Sequence, residues 1–157
     1  DLGCGISYTT AALTKLFPDA RVYGTNLEGT RQYEFNRLLS KKYGFNIVSS
    51  LDAIEDGVEL VFASEYFEHV HFVIEHLEYV LTHLKPRFLY IANSFNTVSM
   101  GHFEWYKYSR KPLIMTHQTK ISREFNNTLR KYGYQMIRTK NWNQRPMLWE
   151  KSVGNLN

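Results

Sequence analysis

Apolar residues fall into groups with helical period alternating with short continuous runs. Ala12, Leu13, Leu16 and Phe17 share one face of a helix that Ser7 caps and that ends before Pro18. Arg21 to Thr25 reads as a short strand. Thr30 to Tyr43 reads as a helix with Phe35, Leu38 and Leu39 inward and Gly44 as its stop. Phe45 to Val48 is a second short strand, and Glu59 to Ser64 a third, around the run Leu60-Val61-Phe62-Ala63. Val70, Val73, Ile74, Leu77, Leu81 and Leu84 repeat at helical spacing until Pro86. Arg87 to Ala92 is a strand, and residues 95–118 carry no clear period. Ile121, Phe125 and Leu129 mark a last helix closed by Gly133. Tyr134 to Lys140 and Pro146 to Val153 read as two final strands spaced for antiparallel pairing.

This alternation predicts an α/β fold. The expected architecture is a doubly wound, mostly parallel sheet with helices on both faces, right-handed crossovers and an antiparallel C-terminal strand pair. Residues 1–157 are expected to form a single domain, with no repeat, low-complexity tract or linker. A strand should precede Asp1, so the natural protein is expected to begin upstream.

Composition changes this picture little, but charge adds to it. No apolar run reaches the length of a membrane span, so no membrane is expected. The one cysteine, Cys4, excludes an internal disulfide and suits a reducing, cytoplasmic setting. Residues 1–106 carry a net charge of −5 and residues 107–157 a net charge of +9. A basic C-terminal third fits an anionic partner, whether nucleic acid, phosphorylated metabolite or acidic protein, or else a solvated surface. No feature sets an oligomeric state.

The chemistry begins at Asp1-Leu2-Gly3-Cys4-Gly5, a glycine turn opening directly into a helix. Glycines turn tightly and let a ligand approach the backbone. The helix start aims its N–H groups at the same place. A dinucleotide site needs a small residue where Tyr8 stands, which counts against a nicotinamide enzyme.

An acid directly before Gly-x-Gly resembles the nucleotide-binding corner of the class I S-adenosylmethionine-dependent methyltransferases. Tyr23-Gly24-Thr25-Asn26, Ser50-Leu51-Asp52-Ala53-Ile54 and Phe62-Ala63-Ser64-Glu65-Tyr66-Phe67-Glu68-His69-Val70 extend the likeness, as does Lys85-Pro86 before a strand. The chain departs from the pattern at Asn26, where the family usually has an acid, with Glu28 two residues on. It departs again at Ser7, in place of a third glycine, and at Arg87-Phe88, in place of two glycines. The resemblance implies a Rossmann-like sheet, S-adenosylmethionine as cofactor and methyl transfer to a small or medium-sized acceptor. It places Asp1, Gly3, Cys4, Gly5, Leu27, Ser64 and Glu65 at the cofactor, Asn26 or Glu28 at the ribose, and Asp52 at the adenine, with a helix cap as the alternative role of Asp52.

Acceptor chemistry is expected at strand C-terminal ends. His69, His102 and Glu104 are the candidate catalytic groups. Asn93, Trp105, Tyr106 and Tyr108 are the candidate substrate contacts, with an aromatic plug as the alternative role for this stretch. His71, His76 and His83 share a helix with His69, but the spacing is not His-Glu-x-x-His and no metal is expected. Cys4 fits a small packed residue better than a nucleophile, and Trp142 and Trp149 fit sheet packing. Two further readings stand beside the first. One is a nucleic-acid methyltransferase using Tyr106-Lys107-Tyr108-Ser109-Arg110-Lys111. The other is a non-catalytic scaffold that retains the fold.

Overall fold

The computed structural model describes residues 1–54, 57–111, 113–138 and 146–152. The chain divides into two compact units, residues 1–56 and 57–157.

In the first unit, residues 1–4 lie alongside strand β1 (Tyr23–Thr25). Thr25 N–H donates to the Asp1 carbonyl at 2.9 Å, and Cys4 N–H donates to the Thr25 carbonyl at 2.9 Å. Helix α1 (Tyr8–Leu16) follows the glycine turn. Helix α2 (Arg31–Tyr43) starts at Thr30, whose hydroxyl accepts from Tyr33 N–H, and ends at Gly44 with φ 79°. It serves as the crossover that lets β1 pair in parallel with β2 (Asn46–Val48), in register Tyr23↔Asn46 to Thr25↔Val48. A 3-10 turn, Leu51–Ala53, follows.

The inward faces of both helices differ from the hydrophobic pattern. Leu16, Phe17, Phe35 and Leu38 are exposed, while α1 buries Thr10 and Ala11 and α2 buries Asn36. Close approach explains the small residues on α1. A Cβ on Gly24 would meet Cys4 Sγ at 3.1 Å and the Thr10 side chain at 3.2 Å, so only a glycine lets helix and strand sit this near. Ser7 precedes α1 but makes no side-chain capping bond, because its backbone is left-handed at φ 63°.

The second unit contains β3 (Leu60–Ser64), a 3-10 turn (Phe67–His69), α3 (Val73–His83), β4 (Phe88–Ala92), β5 (Trp105–Lys107), β6 (Met115–His117), α4 (Gln118–Lys131), β7 (Tyr134–Ile137) and β8 (Met147–Lys151). β3 and β4 run parallel, with Leu60↔Phe88 and Ser64↔Ala92. β8 lies antiparallel between β4 and β7. Val61, Ala63, Leu89, Ile91 and Trp149 are buried, whereas the alternate residues Phe62, Phe88 and Tyr90 are only half-buried. Residues 95–118, without period in the sequence, contain the antiparallel hairpin β5–β6. Phe67, Phe95, Tyr106 and Phe125 form an aromatic core, with ring centroids 4.9 Å apart for Phe67–Phe125 and 5.7 Å for Phe95–Tyr106. Trp149 is buried as expected of sheet packing; Trp142 lies outside the described residues.

The expected doubly wound, mostly parallel Rossmann-like sheet does not form. Backbone pairing among the described residues gives three separate sheets, β1-β2, β3-β4-β8-β7 and β5-β6, and the fold is α+β. The physical reason is the pairing itself. β1 and β2 have three residues each and find only one another, plus an isolated bridge at Leu2. The free edge of β4 is taken by an antiparallel strand instead of another crossover.

Core position and exposure give opposite expectations for two apolar residues. Phe125→Ala is expected to cost about 3–5 kcal/mol in urea unfolding. Leu38→Ala should stay within about 0.5 kcal/mol of the parent, because Leu38 is exposed.

Candidate functional site

The glycine turn of the first unit is built by its backbone and by two asparagines. Gly3 and Gly5 are left-handed at φ 63° and 53°. A Cβ on Gly5 would meet nothing within 4 Å, so the turn is open beside it. Gly3 N–H donates to Thr25 Oγ1 at 2.9 Å. Thr10 hydroxyl donates to Asp1 Oδ2 at 2.7 Å, tying that carboxylate to the first turns of α1. Cys4 is buried with its sulfur 3.3 Å from Ser7 Oγ, a packed position.

Asn36 fixes the turn from α2. Its Nδ2 donates to the Gly5 carbonyl at 3.0 Å and to Ser7 Oγ at 2.6 Å, and its Oδ1 accepts from Asn26 Nδ2 at 2.8 Å. Asn26 Nδ2 also donates to the Gly5 carbonyl at 2.8 Å, while Asn26 Oδ1 accepts from Leu27 N–H. Both polar atoms of Asn26 therefore hold the protein's own backbone and turn. Of the expected cofactor contacts, Glu28 carries an exposed carboxylate whose bonded neighbour is the Ser49 hydroxyl at 3.3 Å, and Leu27 is an exposed apolar side chain. Asp52 accepts from the Ser50 hydroxyl at 2.8 Å, and it is Ser50 that caps the 3-10 turn. The motif does not mark Asn36; the signal for it is a polar residue of low helix propensity inside an otherwise apolar stripe.

A second group of side chains gathers in the second unit, at the C-terminal ends of β3 and β4. Ser64 and Ala92 are register partners, so the residues that follow them emerge at one edge. Glu65 has φ 51°, and its N–H bonds the Ala92 carbonyl at 2.8 Å. The 3-10 turn then brings Glu68 inward, fully buried. Ser94 N–H donates to Glu68 Oε1 at 2.8 Å, and Ser94 hydroxyl donates to Glu65 Oε1 at 3.3 Å. Burial pushes the Glu68 carboxyl above its ordinary range, the Ser94 N–H pulls against that, and the Glu65 charge adds to the rise.

His102 Nδ1 lies 2.9 Å from the Thr97 carbonyl and His69 Nδ1 lies 2.9 Å from the Gly101 carbonyl. A carbonyl only accepts, so both rings carry their proton on Nδ1 and present a lone pair on Nε2 when neutral. The two rings meet edge to face at 4.8 Å. Glu65, Glu68 and His102 each offer an atom within 4.8 Å of the others. Of the four histidines expected to share one helix, only His76 and His83 lie in α3; His69 ends the 3-10 turn and His71 precedes α3, and the trio lies wholly outside that helix. Glu68 lay within the Phe62–Val70 motif but was not among the expected site residues. Its signal is a carboxylate directly after Phe67, which is itself buried.

The remaining candidates are dispersed. Glu104 pairs with His117 at 3.7 Å. Trp105 is exposed against His117. Tyr106 is fully buried, with its hydroxyl donating to the Glu68 carbonyl at 3.1 Å, which makes it part of the aromatic plug. Tyr108 donates to Glu124 and stands 2.9 Å from the Thr116 hydroxyl. Asn93, at the end of β4, has both amide atoms buried without a protein partner. A cleft of about 340 Å³ lies elsewhere in this unit, lined among others by Glu75, Glu78, Glu124, Arg110 and Lys111. Some of the basic C-terminal charge is matched within the unit, as Lys131 meets Glu78 at 3.4 Å. No helix among the described residues is long and apolar enough to cross a membrane.

Two outcomes follow from these bonds. Asn36→Ala removes the donor to the buried Ser7 hydroxyl and should cost about 1–3 kcal/mol by urea unfolding. The second concerns His76, which faces the Tyr66 hydroxyl at 2.9 Å; burial holds its pKa below 6.5 and pushes Tyr66 up to about 12. Below about pH 6.5 the unfolded chain binds the proton first, so the stability that neutral His76 confers is complete above that pH and falls as pH drops toward the folded pKa. The melting temperature should decline from about pH 7 to pH 5, and less steeply in His76→Gln.

No family model matches the chain, and no curated protein matches it.

Proposed function

We propose that this chain binds S-adenosylmethionine through the turn from Asp1 to Ser7 and acts as a methyltransferase on a small or medium-sized acceptor. The observation that carries the reading is the left-handed glycine pair Gly3 and Gly5 before α1, open beside Gly5, whose carbonyl Asn36 holds. A side chain at Gly5 would project into the space that a nucleoside needs beside the backbone. Asp1, anchored by Thr10, supplies the negative charge at the turn. Glu28 is assigned to the ribose hydroxyls and Leu27 to apolar contact, because Asn26 is spent on Gly5 and Leu27 N–H. S-adenosylmethionine supplies an activated methyl on a sulfonium, so the hard chemistry is the cofactor's. The chain's part is to hold, orient and desolvate.

Calorimetric titration of the chain with S-adenosylmethionine tests this. A Kd of about 1–100 μM is expected. Glu28→Gln should weaken it about tenfold, through loss of a charge-assisted hydrogen bond. Gly5→Ala should weaken it at least as much. No heat at about 1 mM cofactor retires the reading. Binding without transfer of labelled methyl to pooled small molecules or nucleic acids would leave a cofactor-binding protein without that chemistry.

A further inference from the structure

We infer that Glu65, Glu68 and His102 form a divalent-cation site of the Mg²⁺/Mn²⁺ class. The inference is independent of cofactor binding in the first unit. Each of the three residues offers one ligand atom, and these atoms lie within 4.8 Å of one another. Around a single ion with bonds near 2.1 Å, ligand atoms stand about 3–4 Å apart, so modest side-chain rotations close the set. Two carboxylates and one imidazole are a hard-to-borderline donor set that leaves positions for water or a ligand oxygen.

A separate observation points to an ion. Glu68 is fully buried, and its Oε2 has no hydrogen-bond partner although its Oε1 accepts from Ser94 N–H. A buried carboxylate oxygen without a donor is costly unless a cation meets it. The surroundings are those of metal ligands rather than of a core acid. Ser94 N–H orients the Glu68 carboxylate, Ser94 hydroxyl orients Glu65, and the Thr97 carbonyl fixes the His102 tautomer that leaves Nε2 able to ligate. Residues 94–102 thus supply one ligand and the groups that steer the other two.

Titration of the full chain with Mn²⁺, followed by the loss of the free-ion electron paramagnetic resonance signal, reads this out. One ion per chain is expected, with a Kd below about 100 μM. His102→Gln and Glu68→Gln should each weaken binding about tenfold or more. Circular dichroism reports whether each variant is folded. His102 is only partly buried, so its variant decides the matter should Glu68→Gln fail to fold. In the unaltered protein, bound Mn²⁺ should broaden the Ser94 amide and His102 ring resonances before others. Mn²⁺ that remains free at about 1 mM protein, an unchanged Kd in His102→Gln, or broadening centred elsewhere would overturn the site.

Discussion

Asn36 sits in the middle of α2, with neither oxygen nor nitrogen exposed to water, and a polar group so placed must find partners inside the protein. It finds them in Gly5, Ser7 and Asn26, and the shape of the first unit follows from those bonds. The Gly5 carbonyl is gripped by two amides, which sets the direction of the turn. Asn26, drawn into the same grip, is removed from any role toward a ligand. The helix therefore docks through an amide, and Phe35 and Leu38 are left outside.

The same constraint is left unmet in the second unit. Glu68 Oε2 and both amide atoms of Asn93 are buried without partners at the ends of β3 and β4. These are three of the six buried side-chain atoms left unpartnered among the described residues; the others belong to His71, Glu75 and Trp149. The neighbours of Glu68 and Asn93 are ordered by backbone groups: Ser94 N–H, the Thr97 carbonyl and the Gly101 carbonyl. Backbone carbonyls cannot change partner by rotating a side chain, so the imidazoles they hold are presented in a fixed tautomer. Gly101 itself is needed for this, since a Cβ there would come within 3.0 Å of His69 Nδ1.

Elements with long, clean periods were legible in the sequence. Val73, Ile74, Leu77, Leu81 and Leu84 are buried where their spacing put them, as are Ile121, Phe125 and Leu129. β3 and β4 begin within a residue of their apolar runs. The faces of α1 and α2 were not legible, because close packing at Gly24 and the Asn36 amide decide them, and neither carries a hydrophobic signal. The hairpin β5–β6 was hidden because each strand has three residues, too few to show alternation. Sheet connectivity failed for another reason: apolar runs mark strands but not partners, and the edge beside β4 went to β8. Within the candidate sites, the glycine turn was visible as a motif. The Glu65, Glu68 and His102 group was not, since His102 reaches it through a long connection whose path the sequence leaves open.

The position of β8 has a consequence for how the polypeptide matures. The strand between β4 and β7 is made last, and its Trp149 fills the interior beside Leu89. During synthesis β4 and β7 emerge with an empty lane between them. Until residues 147–151 have cleared the ribosome, the nascent second unit carries two open strand edges and an unfilled interior, a state that favours chaperone capture and mispairing with neighbouring chains.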